Sequence, residues 1–259
     1  MTDHERGHVD TAAAEVYDDL FVPALFGRFV DPVADTAAIA PTDSVVDVAC
    51  GTGALTRAIR ARTAGRVVGV DVNPAMVSVA RRTGGDIEFA QGDGMGLEFH
   101  DGAFDVATCQ FGLMFYPDPG RGVAELARVA HRGTVAVWDS IERSAGYSAV
   151  QELFRHELGQ AAAASLDAPF ALGEEGVLEA AFNSAGVAGV EYSCLEGTGR
   201  FDSIDQWVTT EIRGWTIGDS ITDRQLADLI VIARERLGHF ETSDGCVFGM
   251  SAKVATWTT

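Results

Sequence analysis

The feature that most constrains this 259-residue chain is the stretch from Val45 to Arg60, VVDVACGTGALTRAIR. A hydrophobic run gives way to small residues, and apolar residues then recur at helical spacing. The pattern predicts a buried strand, a glycine turn and a helix, which together present backbone N–H groups to a ligand. Gly51 and Gly53 allow a close approach because glycine has no side chain. An ordinary strand-to-helix turn remains the alternative, since a lone Gly-x-Gly pair is a weak signal.

Further hydrophobic runs alternate with helical patterns along the next part of the chain. They predict strands at residues 66–72, 87–90, 104–108 and 134–138. This alternation implies parallel βαβ units with right-handed crossovers, and ligands of such sheets lie outside the carboxyl ends of the strands. We therefore expect one edge of the sheet to collect Asp47, Gly51, Asp71, Asp93, Gln110 and Trp138.

Two acidic residues stand at the ends of predicted strands. Asp71 lies 18 residues after Gly53, where doubly wound folds place a carboxylate that accepts hydrogen bonds from two ribose hydroxyls. Asp93 lies in the turn after the third strand and is expected to accept a hydrogen bond from the exocyclic amine of a purine. A solvated strand-end Asp and an Asp favoured by turn chemistry alone are the respective alternatives.

The flanking segments predict a cover and a cap. Residues 11–40 carry an aromatic and apolar pattern that predicts one or two helices broken near Pro23 and Pro32. Such a stripe is usually core, but Tyr17 is the preferred candidate for roofing a ligand site. Residues 109–116 form a strand exit that is unusually apolar for a surface connection, and we expect it to pack and to line a pocket.

The pattern changes beyond Ser140. Helices are predicted at 147–164, 174–185, 205–213 and 223–237, and two late strands at 187–195 and 246–254. We expect the late strands to form an antiparallel pair at the edge of the sheet, and residues 204–237 to cap its ligand-binding edge. Glu211 and Arg213 on a cap helix are interpreted as a solvated face, with substrate contact as the alternative.

Charge and cysteine content narrow the class of function. The formal net charge is −19 and Lys253 is the only lysine, which argues against nucleic acids and anionic membranes as partners. The four cysteines form no Cys-x-x-Cys pair, so neither a metal site nor a disulfide framework is predicted. No apolar run approaches the length that spans a bilayer. We expect a cytoplasmic protein, a monomer or homodimer, that acts on a small molecule.

Four motifs together resemble the class I S-adenosylmethionine-dependent methyltransferase family, especially its small-molecule branch. They are DVACGTG at 47–53, GVDVNPAMV at 69–77, QGDG at 91–94 and FDVATCQFGLMFYPD at 104–118. The resemblance runs from about Tyr17 to Asp139 and is looser afterwards. It implies a doubly wound, mostly parallel seven-stranded sheet, the Rossmann-like methyltransferase fold, with N-terminal helices and a helical cap. We expect one domain: a cover (1–40), a cofactor-binding core (41–140) and an acceptor side (141–259).

The resemblance also implies roles for individual residues. In the family the glycine turn approaches the methionine portion of S-adenosylmethionine, two acids hold the ribose and the adenine amine, and the fourth strand's exit borders the sulfonium. Carried over by position, the predicted cofactor residues are Tyr17, Asp47, Ala49, Gly51, Gly53, Asp71, Val72, Met76, Gly92, Asp93, Gly94, Met95, Cys109 and Gln110. Ala49 departs from the glycine that many members carry at the start of the turn.

A nicotinamide-dependent dehydrogenase is the competing interpretation, because a glycine turn followed by an Asp is also its fingerprint. Thr56 stands where the third glycine of that fingerprint belongs. Asp47, just before the turn, suits a cationic amino-acid group better than a pyrophosphate. The helical residues ahead of the turn match the cover that the methyltransferase resemblance requires.

The expected reaction transfers a methyl group from S-adenosylmethionine to an apolar or aromatic small molecule and leaves S-adenosylhomocysteine, with O- and C-methylation both open. His156 is the candidate general base, ahead of Asp139, although it also fits an exposed helix position beside Glu152. The predicted acceptor pocket contains Phe21, Phe111, Met114 and Trp138. A cofactor-binding protein that does not methylate, such as a cyclase or a decarboxylase, is the alternative from another class.

Overall fold

The fold is a single sheet with helices on both faces. The structure, a computed structural model, describes residues 11–213 and 221–258. The strand order is β3-β2-β1-β4-β5-β8-β6, and β7 pairs with β8 off this path. The strands are β1 Val45–Val48, β2 Val67–Asp71, β3 Glu88–Gln91, β4 Phe104–Gln110, β5 Ala130–Trp138, β6 Glu191–Phe201, β7 Glu241–Thr242 and β8 Gly245–Thr258.

The doubly wound prediction is confirmed, with one correction to the strand number. Strands β1 to β5 pair in parallel, whereas β8 is antiparallel to β5 and to β6, as expected for the late strands. The described sheet has eight strands rather than seven. The additional strand, β7, pairs Thr242 with Gly245 in a short hairpin. Two residues are too few to produce a readable alternation in the sequence.

Helices occupy most of the remaining described chain. They are α1 Thr11–Val16, α2 Val22–Ala24, α3 Val30–Thr36, α4 Ala54–Arg60, α5 Pro74–Thr83, α6 Pro119–Val129, α7 Ala145–Glu157, α8 Gln160–Ala164, α9 Val177–Ser184, α10 Ile204–Arg213 and α11 Asp223–Leu237. The helix predicted at 147–164 is interrupted, because Gly159 has a φ of 93° that an α-helix does not contain. Asn73 caps α5 by accepting a hydrogen bond from the Ala75 N–H at 2.9 Å, as the Asn-Pro pair predicts.

The N-terminal cover is more broken than the predicted one or two helices. A π-helical turn, Tyr17–Phe21, follows α1, and a 3₁₀ turn, Phe26–Phe29, separates α2 from α3. Leu25 breaks the path with φ −128° and ψ −69°. Pro23 lies in the first turn of α2, a position where proline does not interrupt a helix.

Alternating strand residues divide the core between the two faces of the sheet. Val45 packs with the N-terminal helices, α7, α10 and α11, whereas Val46 packs with α6 and α9. The cap helices α10 and α11 belong to the first of these clusters. Trp207 of α10 is fully buried and its ring centroid lies 4.2 Å from that of Phe248 on β8. Residues 214–220 of the predicted cap lie outside the described residues.

Candidate active site

The glycine turn after β1 is held in an unusual backbone conformation. Ala49, Gly51 and Gly53 have φ values of 55°, 55° and 85°. The left-handed region costs a residue with a Cβ about 1 kcal/mol or more, so Ala49 stores strain at this point. Ala49 packs against Gly112, where an added Cβ would lie 2.4 Å from the Ala49 Cβ. The exit of β4 therefore buttresses the turn.

Asp71 ties the end of β2 to the same turn. Its Oδ2 accepts a hydrogen bond from the Gly51 N–H at 2.8 Å, and its Oδ1 accepts one from the Asn73 N–H at 2.8 Å. Only 8% of the residue is exposed. Through these bonds the carboxylate links the glycine turn after β1 to the loop that leads into α5. The structure thus brings Asp71 beside the turn, as the sequence predicts.

Asp47 is buried beneath the turn. It is 1% exposed, and its carboxylate accepts hydrogen bonds from the hydroxyls of Thr56 at 2.6 Å and Thr108 at 2.8 Å. Burial raises the pKa of Asp47 to about 6; the two hydroxyl bonds oppose this rise and the nearby Asp71 carboxylate adds to it. Thr56, at the position of the missing third glycine, therefore anchors α4 to β1.

Tyr17 lies over the turn. Its Cε1 atom is 3.8 Å from the position that a Cβ on Gly51 would occupy, and its ring stacks on Phe21 and Phe26 with centroid distances of 6.0 and 5.2 Å. Burial and the Asp71 charge raise the pKa of Tyr17, so its phenol stays protonated. The predicted roofing position of Tyr17 agrees with this placement.

Four aromatic residues form a wall beside Tyr17. This aromatic wall consists of Phe26, Phe29, Phe111 and Trp138. Phe111 and Trp138 stack with their centroids 3.7 Å apart, and Phe29 meets both rings edge-on. Phe111 itself has a φ of 54°, which is rare for a bulky residue. Phe111 and Trp138, predicted for the acceptor pocket, are thereby brought together, with Phe21 buried behind Tyr17.

The end of β4 carries an unsatisfied polar atom. The Gln110 Nε2 donates a hydrogen bond to the Phe26 carbonyl at 3.1 Å, whereas its Oε1 is buried with no hydrogen-bond partner in the described part of the chain. A buried acceptor without a hydrogen bond costs free energy, so a donor from a ligand would stabilise this position. The neighbouring Cys109 thiol is fully buried in the core, where burial raises its pKa to about 12.

The turn after β3 has an exposed acid and a covered glycine. The Asp93 Oδ1 accepts a hydrogen bond from the Met95 N–H at 2.8 Å, which closes the turn. A Cβ on Gly94 would lie 1.9 Å from the Tyr116 hydroxyl oxygen, so this tyrosine covers the glycine directly. Tyr116 was not among the predicted site residues. Of the others predicted here, Val72 is exposed, and Met76 and Gly92 are half-buried.

A small apolar pocket lies beside the aromatic wall, with which it shares Phe26 and Trp138. Its volume is about 20 Å³, room for about one water molecule. It is lined by Leu25, Phe26, Phe115, Trp138, Tyr147, Ser165, Leu166, Pro169 and Phe170. Most of these residues were not predicted for a pocket, since their helical spacing is indistinguishable from core spacing. Met114 is half-buried between the two hydrophobic clusters.

Glu211 corrects the interpretation of α10 as a solvated face. It is fully buried, and its Oε1 accepts a hydrogen bond from the Tyr147 hydroxyl at 2.7 Å. Burial first, and then the charge of Glu211, raise the pKa of Tyr147. Arg213, by contrast, is partly exposed and pairs with Asp223.

The two general-base candidates, His156 and Asp139, each contact a neighbouring polar or charged side chain. His156 is exposed, with its Nε2 2.8 Å from Glu152 Oε1, and lies nine residues along α7 from Tyr147, about 13 Å away. His156 therefore lies near the opposite end of α7 from Tyr147 and contacts a residue of its own helix. Asp139 is buried and is bonded to the Arg143 guanidinium at 2.6 Å and the Ser251 hydroxyl at 3.1 Å. It anchors the link between β5 and β8.

Two negative findings apply to the described ranges 11–213 and 221–258. None of the helices there is long and apolar enough to cross a membrane. No group of three or more His, Cys, Asp or Glu side chains in those ranges is placed to hold a metal ion.

Sequence similarity to known proteins covers only part of this chain. A family model described as "Methyltransferase domain" matches residues 46–137. A demethylmenaquinone methyltransferase from Thermus thermophilus is 38% identical over 94 residues, which are 34% of this chain and 43% of that protein. Its namesake from Renibacterium salmoninarum is 37% identical over 119 residues, or 46% of this chain and 50% of that protein. The chain therefore spans half or less of the length of these curated relatives.

Similarity in structure extends over more of the chain. The YcgJ protein from Bacillus subtilis has a TM-score of 0.60 and 18% identity, and the superposition covers 89% of this chain and 97% of that one. At this level of identity the likeness is one of fold. The matched strands β1 to β5 are those that supply the glycine turn, Asp71, Gln110 and Trp138.

Proposed function

We propose, on the premise that residues 46–137 belong to the class I S-adenosylmethionine-dependent methyltransferase family, that this chain transfers a methyl group from S-adenosylmethionine to an apolar or aromatic small molecule. One observation carries the proposal. The segment that matches the methyltransferase model is the same segment that gathers the glycine turn, Asp71 and Gln110 at one edge of the sheet.

The residues present at this edge fit the cofactor. The unpartnered Oε1 of Gln110 is an acceptor suited to the ammonium group of the methionine portion. The turn at 49–53 lacks bulky side chains and leaves its backbone open to that portion. Asp71 lies beside the glycine turn and is the candidate acceptor for the ribose hydroxyls, and Asp93 is exposed beside Gly94 and Met95 for an adenine amine.

The bound cofactor would supply a methyl group already activated by a positive sulfonium. The chain's own task is then to exclude water and to hold the acceptor in line with that methyl group. Tyr17 covers the turn, and the buried rings of the aromatic wall pack next to Tyr17. These rings supply apolar surface and an environment in which water competes poorly.

The aromatic wall also supports an apolar or aromatic acceptor. The curated relatives are named for a methyl acceptor, demethylmenaquinone, and an acceptor of comparable apolar character would suit the lining of the pocket. With a volume of about 20 Å³ the pocket is nearly closed. Acceptor entry therefore requires part of the lining to move, and residues 165–170 are one of the lining segments outside the sheet.

We propose that the chain forms one domain with three parts. One continuous sheet and shared hydrophobic clusters favour a single methyltransferase domain, with residues 1–40 as cover, 41–140 as cofactor core and 141–259 as acceptor side. A small molecule is the proposed partner.

Calorimetry with S-adenosylmethionine, S-adenosylhomocysteine and NADH tests the first step. We expect both sulfur compounds to bind in the micromolar range and NADH not to bind; the reverse result would overturn the proposal. Incubation with a methyl-labelled donor and a metabolite extract tests the second step. Label in an extracted small molecule supports methylation, whereas conversion of a substrate without label would assign the chain to the non-methylating class.

A further inference from the structure

The Tyr147–Glu211 pair is a buried titratable unit that cofactor binding does not use. Tyr147 is 5% exposed and Glu211 is fully buried. Their oxygens are 2.7 Å apart, an ordinary distance for a hydroxyl that donates to a carboxyl oxygen. Placing a carboxylate in the interior costs several kcal/mol before pairing, so folding stability alone gives no reason to keep it there.

The pair stands next to the acceptor pocket. Tyr147, at the start of α7, lines that pocket together with Trp138 of the aromatic wall. Tyr147 also packs against Phe170 of the pocket, with ring centroids 5.1 Å apart. Among the lining side chains, Tyr147 and Ser165 bear hydroxyl groups. The Ser165 hydroxyl donates to the Ala162 carbonyl on its own segment, whereas the Tyr147 hydroxyl donates to a buried carboxylate.

A series of aromatic contacts connects the glycine turn with this pocket. Tyr17 covers Gly51, Phe26 stacks on Tyr17, and Phe26 and Trp138 both line the pocket. A ring that replaced part of this aromatic packing would face the cofactor edge on one side and Tyr147 on the other.

We propose that Tyr147 and Glu211 form the acceptor-recognition dyad of this site, and that the acceptor is an aromatic molecule bearing a hydroxyl group. This inference rests on the proposed function and specifies its substrate class. Tyr147 Oη accepts a hydrogen bond from the acceptor hydroxyl, while its own hydrogen is donated to Glu211 Oε1. Glu211 acts through Tyr147 and is a positioning residue.

The dyad can accept one proton from the acceptor hydroxyl. The acceptor O–H bond breaks and its proton goes to Tyr147 Oη; the Tyr147 O–H bond breaks and that proton goes to Glu211 Oε1. The acceptor oxygen keeps the electron pair that forms its bond to the methyl carbon, and the pair of the broken carbon–sulfur bond stays on sulfur. With the methyl donor bound, this proton transfer would neutralise the buried Glu211 carboxylate as the positive charge of the donor is lost.

Binding of two matched probes tests the dyad. The protein is saturated with S-adenosylhomocysteine and titrated with 2-naphthol and with naphthalene, which lacks the hydroxyl. We expect wild type to prefer 2-naphthol by about tenfold, the effect of one hydrogen bond within a charged network. Tyr147→Phe should abolish the preference, whereas the control Tyr192→Phe, on the exposed face of β6, should keep it.

Fluorescence provides a readout that a structural role would not move. Excited 2-naphthol is a strong acid and emits as naphtholate when a proton acceptor is within reach. We expect naphtholate emission from the wild-type complex and from the surface control Glu152→Gln, and emission of the neutral form from Glu211→Gln. Glutamine keeps the shape and an acceptor oxygen, so binding of 2-naphthol should change little.

The outcomes separate the two proposals. If wild type binds S-adenosylhomocysteine but shows no preference for 2-naphthol, the dyad proposal fails and the proposed function stands. Naphtholate emission that persists in Glu211→Gln also overturns it. If wild type does not bind S-adenosylhomocysteine, the proposed function fails, and the dyad proposal with it. The wild-type comparison requires no variant, so misfolding of Tyr147→Phe cannot obscure the result.

Discussion

At the scale of single residues, Asp47 is the group whose chemistry is most altered by the fold. A carboxyl with an ordinary pKa near 4 is held at about 6 because it is enclosed by β1, β4 and α4. The two threonine hydroxyls keep it hydrogen-bonded in either protonation state. Its charge is therefore available to a cation but is costly when no cation is present.

The raised pKa of Asp47 predicts how stability depends on pH. Between pH 4 and 6 the folded state holds a proton that the unfolded state has lost, so the contribution of Asp47 to stability falls as pH rises through this window. The loss amounts to about 3 kcal/mol for a shift of about two pKa units. Urea unfolding of wild type and of Asp47→Asn at pH 4 and pH 7 measures it. The free energy of unfolding of wild type, relative to that of Asp47→Asn, should be lower at pH 7 than at pH 4.

If the difference in free energy of unfolding between wild type and Asp47→Asn is the same at pH 4 and pH 7, the pKa of Asp47 is not raised by the fold. The same measurement with S-adenosylmethionine present should reverse part of the effect, because a bound cation favours the charged carboxylate. Affinity for the cofactor should accordingly rise as pH increases through about 6.

Gln110 offers a separate test of the cofactor edge. Gln110→Leu removes the unpartnered Oε1 together with the bond to the Phe26 carbonyl. We expect the free energy of unfolding to change by less than about 1 kcal/mol, since one lost hydrogen bond is offset by relief of a buried orphan acceptor. Affinity for S-adenosylmethionine should fall about tenfold because a charge-assisted bond is lost. Calorimetry measures the second quantity and denaturant melts the first.

A matched variant shows whether the loss is local. Gln151→Leu removes an amide of the same size from an exposed position on α7, where it is bonded to Asp167. It should leave cofactor affinity unchanged. Unchanged affinity in Gln110→Leu as well would remove Gln110 from the proposed cofactor contacts.

At the scale of elements, the turn after β1 and the exit of β4 act as one unit. Both contain a residue with a Cβ in the left-handed region, Ala49 and Phe111, and Gly112 is the point of contact between them. Neither conformation is favourable in isolation, so each depends on the packing of the other.

Gly112→Ala tests this mutual support. The new methyl group would lie 2.4 Å from the Ala49 Cβ, so the two segments must separate. We expect a loss of about 1–3 kcal/mol in stability, typical of overpacking, and weaker binding of S-adenosylmethionine. Gly249→Ala on β8 is the control, because a Cβ there meets nothing within 4 Å. Similar melting of both variants would contradict the coupling of the two segments.

Element boundaries also show what the sequence predicts well. Strands β1, β2, β4 and β5 follow from hydrophobic runs, because their burial leaves a strong apolar signal. Strand β3 is only partly buried and was still predicted from its short run. The cover was predicted to break near its prolines, but its π and 3₁₀ turns were not predicted, since such turns have no distinct periodicity. Glu211 was misread for a related reason: an acid on a helix is normally solvated, and its burial depends on Tyr147, 64 residues away.

The acceptor side was the least predictable part of the site. The positions of Asp71, Gly51 and Gln110 follow from local motifs on neighbouring strands. Phe115 lies in the strand exit that was expected to line a pocket, but Tyr147 and Phe170 join it there only through tertiary packing of segments distant in sequence. The spacing of Tyr147 and Phe170 satisfies a helical core equally well, so periodicity could not single them out.

At the scale of the whole molecule, charge is the dominant property. A formal net charge of −19 on 259 residues places like charges within a Debye length of one another over much of the surface. Several of the arginines are engaged in ion pairs, such as Arg128 with Glu125 and Arg234 with Asp205. The surplus carboxylates repel one another in the compact state.

Added salt should therefore stabilise the protein at neutral pH. We expect the melting temperature at pH 7.5 to rise by roughly 2–4 °C between low salt and 0.2 M NaCl, equivalent to about 1 kcal/mol for a protein of this size. Near the isoelectric pH of about 4.5 the net repulsion vanishes and the increase should disappear. A melting temperature that falls with salt at pH 7.5 would show that attractive pairs outweigh the repulsion. Scanning calorimetry at both pH values distinguishes these results.

The insertion of β8 between β5 and β6 has a consequence for the time course of folding. Strands β1 to β5 can assemble through successive short crossovers, but Val135 of β5 must wait for Ala255 of β8, 120 residues further on. Contacts between distant residues form slowly, because the chain loses the entropy of loop closure before the contacts contribute favourable free energy. We expect refolding to show an early phase for the parallel half of the sheet and a later phase for its closure. Since α7 and α10 pack on the late half, Tyr147 and Glu211 would meet only in that final phase.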